Sequence, residues 1–211
     1  MVHRDLKLAG ITGAKLHVPH VSTAASVEHI REMKSINNNI SAEVTPHHLF
    51  FNDESLYNYD TNLKVAPPIR SNGSRKALVQ GIIDGVIDCI ATDHAPHALH
   101  DKETTFDLAS FGMIGLESCF GIVKKILVDE EGLNLIDFIK LLTVSPRKIM
   151  GFDYDLLSKG KEAEMVLFDP NEIWTFKKES VFSRSTNSPF YSQELSGKIK
   201  YTISKGYISQ I

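Results

Sequence analysis

The sequence predicts an α/β fold: parallel strands alternate with helices over residues 1–154, and a strand-rich unit follows over residues 155–211. Three observations support this prediction. Apolar strand-like segments recur along the first part, an amphipathic helical segment follows each of them, and polar side chains end each strand. Because parallel neighbours need crossover helices, a repeated strand–loop–helix unit favours a parallel sheet.

The first elements follow from local patterns. Residues 2–12 predict a helix, and GAKLHVPH predicts a short strand that ends in His20. Ser22 and Thr23 are N-cap candidates for the amphipathic helix STAASVEHIREMKSI. ISAEVTPHH predicts a second strand, which Pro46 stops. Alternation along the first strand places His20 on one face and His17 on the other.

The same pattern continues to about residue 150. SNGSRKALVQGIIDG predicts a second amphipathic helix, VIDCIATD a third apolar strand, and residues 112–127 a further helix. GLNLIDFIKLLTVSPRKIMG predicts a helix, a turn and a short helix. In the tail, KGKEAEMVLFDP and EIWTFKKES predict strands, and GKIKYTISKGYI predicts a hairpin with SKG as its turn.

Composition and charge exclude several classes of protein. The 211 residues carry a formal net charge of −3 without a long basic block, so neither nucleic acid nor an anionic membrane is an implied partner. Cys89 and Cys119 lie in apolar surroundings, which predicts buried free thiols in a reducing compartment. No apolar run spans a bilayer and the N-terminus has no secretory signal, so we expect a cytoplasmic protein.

Polar residues that can carry chemistry end the three predicted strands. Asp93 heads the segment TDHAPH, and a carboxylate there is costly unless a cation, a metal or hydrogen bonds meet it. The structural alternative is that Asp93 caps the following turn while His94, His97 and His100 lie on the surface. His20 is either a metal ligand or a hydrogen-bonded histidine at a strand end.

Further candidate residues lie after the second strand and before the helix predicted at 112–127. At most one of the neighbours His47 and His48 can face a site, since adjacent strand residues point apart. Phe111 and Gly112 indicate either a close approach of the backbone to a ligand or a plain turn. Catalytic zinc usually takes three protein ligands, and a closed α/β barrel needs about eight strands. The sequence offers two ligand candidates and three strands, which are too few for a catalytic zinc site and too few for a closed barrel.

Taken in order, several stretches resemble dihydroorotase, of the cyclic-amidohydrolase group within the amidohydrolase superfamily. They are RDLKLAGITGAKLHVPHVSTAASVEHIREMK, AEVTPHHLFFNDESL, NLKVAPPIRS, ALVQGIIDGVIDCIATDHAPH, FGMIGLES, SPRKIMG and AEMVLFDPNEIWTF…SRSTNSPF. The resemblance covers nearly the whole chain. ATDHAPH favours dihydroorotase over allantoinase or hydantoinase.

The resemblance implies a partial (β/α)8 TIM barrel, about strands six to eight with their helices, plus a C-terminal β-rich segment of a small composite domain. It implies one or two zinc ions and the interconversion of N-carbamoyl-L-aspartate and L-dihydroorotate in pyrimidine synthesis. His20 resembles a metal ligand, and Asp93 resembles a ligand that also shuttles the proton. His97, Phe111 and Gly112 resemble substrate-binding positions.

The chain departs from the family pattern in two respects. The family's H-x-H pair, its bridging residue and a further histidine ligand have no match, so we expect a C-terminal portion that is inactive without the missing barrel half. Ala66 takes the position of a substrate-holding Asn in many members. The expected partners are the small-molecule substrate and a second copy, the missing half or aspartate carbamoyltransferase. The alternatives are a non-catalytic scaffold for that transferase and a related cyclic amidase.

Overall fold

The computed structural model describes all 211 residues and has a mixed α/β fold with two three-stranded sheets. The strands are β1 (Leu16–Val18), β2 (Ile40–Val44), β3 (Cys89–Ile90), β4 (Met165–Thr175), β5 (Glu194–Ser204) and β6 (Tyr207–Gln210). The α-helices are α1 (Val2–Thr12), α2 (Ala24–Lys34), α3 (Pro46–Phe50), α4 (Asn72–Ile83), α5 (Leu99–Lys102), α6 (Leu116–Lys124), α7 (Leu135–Leu142) and α8 (Val144–Met150). Shorter turns of helix occupy Asp53–Leu56, Thr61–Leu63 and Lys178–Ser180 (3₁₀) and Lys125–Glu130 (π).

The first sheet is parallel, in the order β1-β2-β3. Helix α2 connects β1 to β2 and packs against both α1 and α4, as the strand–helix alternation predicts. Ile30 of α2 and Ala42 and Val44 of β2 are fully buried between the sheet and these helices. Because the strands are parallel, their carboxyl ends lie at one edge of the sheet, where the chain continues to His20 and Asp93.

The second sheet is antiparallel, in the order β4-β5-β6. Its β5–β6 hairpin turns at Lys205 and Gly206, as the SKG segment predicts. The sheet packs on α6, where a Cβ on Gly121 would lie only 2.8 Å from Leu195 Cδ1. A glycine at this position is therefore required for the close approach of helix and strand.

Two local predictions were wrong. Pro46 begins helix α3 rather than only stopping a strand, so His47 and His48 lie on a helix. Thr45 caps this helix by accepting from the His48 amide. Helix α6 begins at Leu116 and not at residue 112, because Met113 forms a parallel bridge with His94 before the helix starts. No helix of the chain combines the length and the apolar character needed to cross a membrane.

The open edge of the parallel sheet leads to a first testable prediction. Strand β1 pairs only with β2, so its other side presents unpaired backbone groups, and the side chain of Ile11 in the adjacent α1 is 83% exposed. We expect the chain to associate at high concentration and Ile11→Lys to weaken this association, as measured by sedimentation. The matched control Leu157→Lys, at a position that is 74% exposed and lies in neither sheet, leaves it unchanged. A clean monomer at high concentration contradicts the prediction.

Candidate functional site

His20 and Asp93 lie together at the carboxyl edge of the parallel sheet. His20 follows β1 and Asp93 follows β3, and both adopt the left-handed backbone conformation with φ of 48°. This conformation is uncommon for residues other than glycine and is concentrated at functional sites. The Nε2 atom of His20 is 3.5 Å from Asp93 Oδ1. The structure therefore brings together the two residues that the sequence singles out as metal-ligand candidates.

Glu43 joins this pair from the middle strand and was missed by sequence reasoning. Its Oε1 is 2.9 Å from His20 Nδ1, and its Oε2 is 3.1 Å from His17 Nε2. His17 and His20 therefore approach one carboxylate, although strand alternation places them on opposite faces. Alternation fails because β1 ends at Val18 and the backbone at His20 adopts the left-handed conformation. A glutamate within the predicted strand segment ISAEV was the available signal.

The electrostatics of the site favour a charged Glu43. Burial alone would raise its pKa, but the contacts with His17 and His20 lower that pKa to about 2. The same carboxylate raises the pKa of His20 against the effect of burial. Burial raises the pKa of Asp93. The site thus holds an ionised Glu43 carboxylate at Nδ1 of His20. The Asp93 carboxyl, which ionises less readily, lies at Nε2 of the same ring.

The geometry of His20 and Asp93 fits a zinc-like ion. Two N or O ligands at 2.0–2.2 Å from a tetrahedral ion lie roughly 3.3–3.6 Å apart, and the observed separation is 3.5 Å. Nδ1 of His20 has no well-aligned hydrogen bond, although Glu43 lies near it. A carboxylate beside the second nitrogen is the usual arrangement behind a metal-bound histidine. The chain supplies two such ligands, fewer than the three usual for catalytic zinc.

The candidate substrate-binding residues lie in the segment between β3 and α6, His97 before α5 and Phe111 and Gly112 after it. Nε2 of His97 donates to the Phe111 carbonyl at 2.7 Å, and the Gly112 amide donates to the Lys64 carbonyl at 2.8 Å. The Lys64 ammonium is 4.6 Å from the centre of the Phe111 ring and donates to the Asp107 carbonyl, so it supports the loop. His97, Phe111 and Gly112 therefore form one connected group.

Asn187 holds this loop from a distant part of the chain. Its Nδ2 donates to the carbonyls of Ala95 and Gly112 at 3.0 and 3.3 Å, and its Oδ1 accepts from the His97 amide at 3.2 Å. The side chain is buried. No local sequence pattern could have identified it, because its partners lie 75 to 92 residues earlier.

The other histidines do not join the site as ligands. His48 accepts from Thr45 Oγ1 and donates to the Pro67 carbonyl, and burial lowers its pKa to about 4. Burial also lowers the pKa of His47 well below its usual value. His94 accepts from the amides at the start of α6, and His100 is exposed. His47 and His48 are thus neutral residues of the core.

Gly112 provides the second testable prediction. Its φ is 123°, and an added Cβ would lie 2.5 Å from Ala95 Cβ and 3.2 Å from His97 Nε2. We expect Gly112→Ala to lower the free energy of unfolding by about 1–3 kcal/mol and to displace His97. Chemical denaturation measures the first effect.

The matched control for Gly112 is Gly132→Ala. Gly132 also has a positive φ, of 73°, but an added Cβ would meet no atom within 4 Å. This control isolates the backbone cost of about 1–2 kcal/mol from the steric clash. Equal losses of stability in the two variants would contradict the packing at Gly112.

Comparisons with known proteins place the whole chain in one group. A family model described as "Amidohydrolase family" matches residues 2–208. The dihydroorotases of Caldanaerobacter subterraneus and Elusimicrobium minutum are 43% and 42% identical over 208 and 206 residues, which is 99% and 98% of this chain and 48% of each relative. The L-hydantoinase structure from Arthrobacter aurescens is similar with a TM-score of 0.90 at 26% identity, covering 98% of this chain and 47% of that one. The chain spans about half the length of the curated relatives it matches.

Proposed function

The chain belongs to the amidohydrolase family, and we propose that it provides the metal-binding carboxyl edge of a dihydroorotase. In this proposal the complete enzyme is a metal-dependent cyclic amide hydrolase that interconverts N-carbamoyl-L-aspartate and L-dihydroorotate. One observation carries the proposal. His20 and Asp93 approach within 3.5 Å at strand ends, in a chain that is 43% identical to a dihydroorotase.

The proposed architecture assigns residues 1–154 to a partial (β/α)8 barrel and residues 155–211 to a small β-rich domain. The parallel order β1-β2-β3 supports the first assignment and the antiparallel sheet β4-β5-β6 supports the second. Three strands need partners to close a barrel of about eight. Residues outside these 211 supply the other strands and the remaining metal ligands.

In the proposed mechanism the ion is zinc, held by His20 and Asp93 together with ligands from the other barrel strands. Bound there, such an ion would polarise the ring carbonyl and would lower the pKa of water toward about 7. Asp93 accepts the proton of the attacking water and delivers it to the leaving ring nitrogen.

Substrate binding is assigned to the loop after Asp93. His97 and the backbone at Phe111 and Gly112 orient the dihydropyrimidine ring, with Asn187 fixing their positions. The exposed Phe111 ring offers an apolar surface to the ring of the substrate. In this role the loop contributes orientation rather than chemistry.

A related cyclic amidase is the second candidate. The similarity to L-hydantoinase at a TM-score of 0.90 supports it. The higher identity to dihydroorotases, 43% against 26%, favours dihydroorotate as substrate. A third alternative is a scaffold without activity, which would not need His20 and Asp93 to lie 3.5 Å apart.

Reconstitution of the barrel tests the proposal. The chain is co-produced with the N-terminal half of the Caldanaerobacter subterraneus dihydroorotase and supplied with zinc, and the hydrolysis of dihydroorotate and of hydantoin is measured. We expect the complex to hydrolyse dihydroorotate and the chain alone to be inactive. Preference for hydantoin would favour the second candidate. A folded, zinc-loaded complex without either activity would contradict the proposed enzyme.

A further inference from the structure

A second group of metal-ligating side chains lies within the parallel sheet, next to the His20–Asp93 pair. His17 of β1, Glu43 of β2 and Cys89 of β3 contribute one ligand atom each, and these atoms all lie within 4.8 Å of one another. We call them the His17–Glu43–Cys89 cluster. Neither His17 nor Cys89 has a part in the proposed reaction.

The register of the sheet explains why these three side chains meet. Glu43 and Cys89 are directly paired across β2 and β3, and His17 pairs with Ser41, two residues before Glu43. Residues two apart on a strand share a face, so all three project from the same side of the sheet. Cys89 is buried, whereas His17 and Glu43 are partly exposed, which leaves a path to the cluster.

The donor set suits a thiophilic divalent cation. Thiolate, imidazole and carboxylate are the three ligand types that zinc takes, at about 2.0–2.3 Å. Ligands at those lengths on a tetrahedral ion lie roughly 3.3–3.8 Å apart. The His17–Glu43 distance is 3.1 Å, close to this range, and the three ligand atoms, none more than 4.8 Å from another, need to draw together around the ion.

A fourth residue prepares His17 for this role. Nε2 of His17 faces Glu43 at 3.1 Å and Nδ1 lies 2.8 Å from Ser41 Oγ, so that when an ion replaces the proton on Nε2, Nδ1 donates to Ser41 and the Nε2 lone pair binds the ion. A partner on the second nitrogen is the usual support of a metal-bound histidine.

We propose that His17, Glu43 and Cys89 bind a second zinc ion, distinct from the ion assigned to His20 and Asp93. Water completes its tetrahedral coordination. The Cys89 thiol, whose pKa burial raises to about 12, releases its proton to solvent as the sulfur binds the ion. Since Oε1 of Glu43 faces Nδ1 of His20 and Oε2 faces His17, this carboxylate would connect the second ion to the imidazole of His20.

Cobalt substitution tests this site without reliance on catalytic activity. The full chain is titrated with Co²⁺, and the near-ultraviolet charge-transfer absorption of a thiolate–cobalt bond is recorded. Only a cysteine ligand gives this absorption, so the His20–Asp93 pair does not contribute. We expect the absorption to develop with Co²⁺ and to disappear in Cys89→Ser.

The matched control is Cys119→Ser. Cys119 is the other buried free thiol and lies on α6, outside the cluster. This variant keeps the absorption, whereas His17→Gln lowers the cobalt affinity at least 10-fold and provides a second test if Cys89→Ser does not fold. Absence of the absorption in the unaltered chain, its persistence in Cys89→Ser, or an unchanged affinity in His17→Gln would overturn the proposal. None of these outcomes bears on dihydroorotate hydrolysis.

Discussion

Replacing Asp93 with Asn is expected to lower dihydroorotate hydrolysis by the reconstituted enzyme about 10²–10⁴-fold. The amide of Asn cannot accept the proton of the attacking water and is a poorer metal ligand than a carboxylate. Asn adopts the left-handed backbone conformation readily, so the φ of 48° at this position is retained and the fold is preserved. Steady-state kinetics measure the loss, and chemical denaturation shows that stability is unchanged.

The control for Asp93→Asn is Glu103→Gln. This substitution also removes one carboxylate charge from the segment after β3, but at an exposed position beyond α5. We expect Glu103→Gln to keep the activity of the unaltered complex. Asp93→Asn with more than a tenth of that activity would contradict the proton-transfer role.

Replacing Glu43 with Gln is expected to weaken metal binding at the His20–Asp93 pair by about 10–100-fold. The charged carboxylate 2.9 Å from His20 Nδ1 orients the imidazole and increases its basicity, and the neutral amide does so less well. Competition with a chelator measures the affinity in the reconstituted enzyme. The comparison is made in a Cys89→Ser background, so that the second cluster does not contribute.

Glu28→Gln, on the exposed face of α2, is the control for Glu43→Gln and should leave the metal affinity unchanged. A structural role alone would lower the stability of the chain without changing the affinity of the folded protein. An unchanged affinity in folded Glu43→Gln would therefore contradict the positioning role.

The sequence predicted the alternation of strands and helices well, because that pattern is local. Thr23 caps α2 by accepting from Ser26, and the apolar spacing of α4 places Leu78 and Ile82 in the core. The bridge between His94 and Met113 could not be foreseen, because it depends on a pairing between residues 19 positions apart. For this reason the start of α6 was placed four residues too early.

In the candidate site, too, local features could be predicted and long-range contacts could not. His20 and Asp93 could be singled out because each follows an apolar strand. Their left-handed backbone, which turns His20 toward Glu43 and Asp93, has no signature in the alternating pattern. Glu43 and Asn187 were missed because their roles arise from partners on other strands or in a distant segment.

The most direct test of the account is an anomalous-diffraction structure of the zinc-loaded reconstituted enzyme, recorded at the zinc absorption edge. The account predicts one ion within about 2.0–2.2 Å of both His20 Nε2 and an oxygen of Asp93. An anomalous peak bound by neither residue, or side chains at positions 20 and 93 pointing away from a common ion, would contradict it.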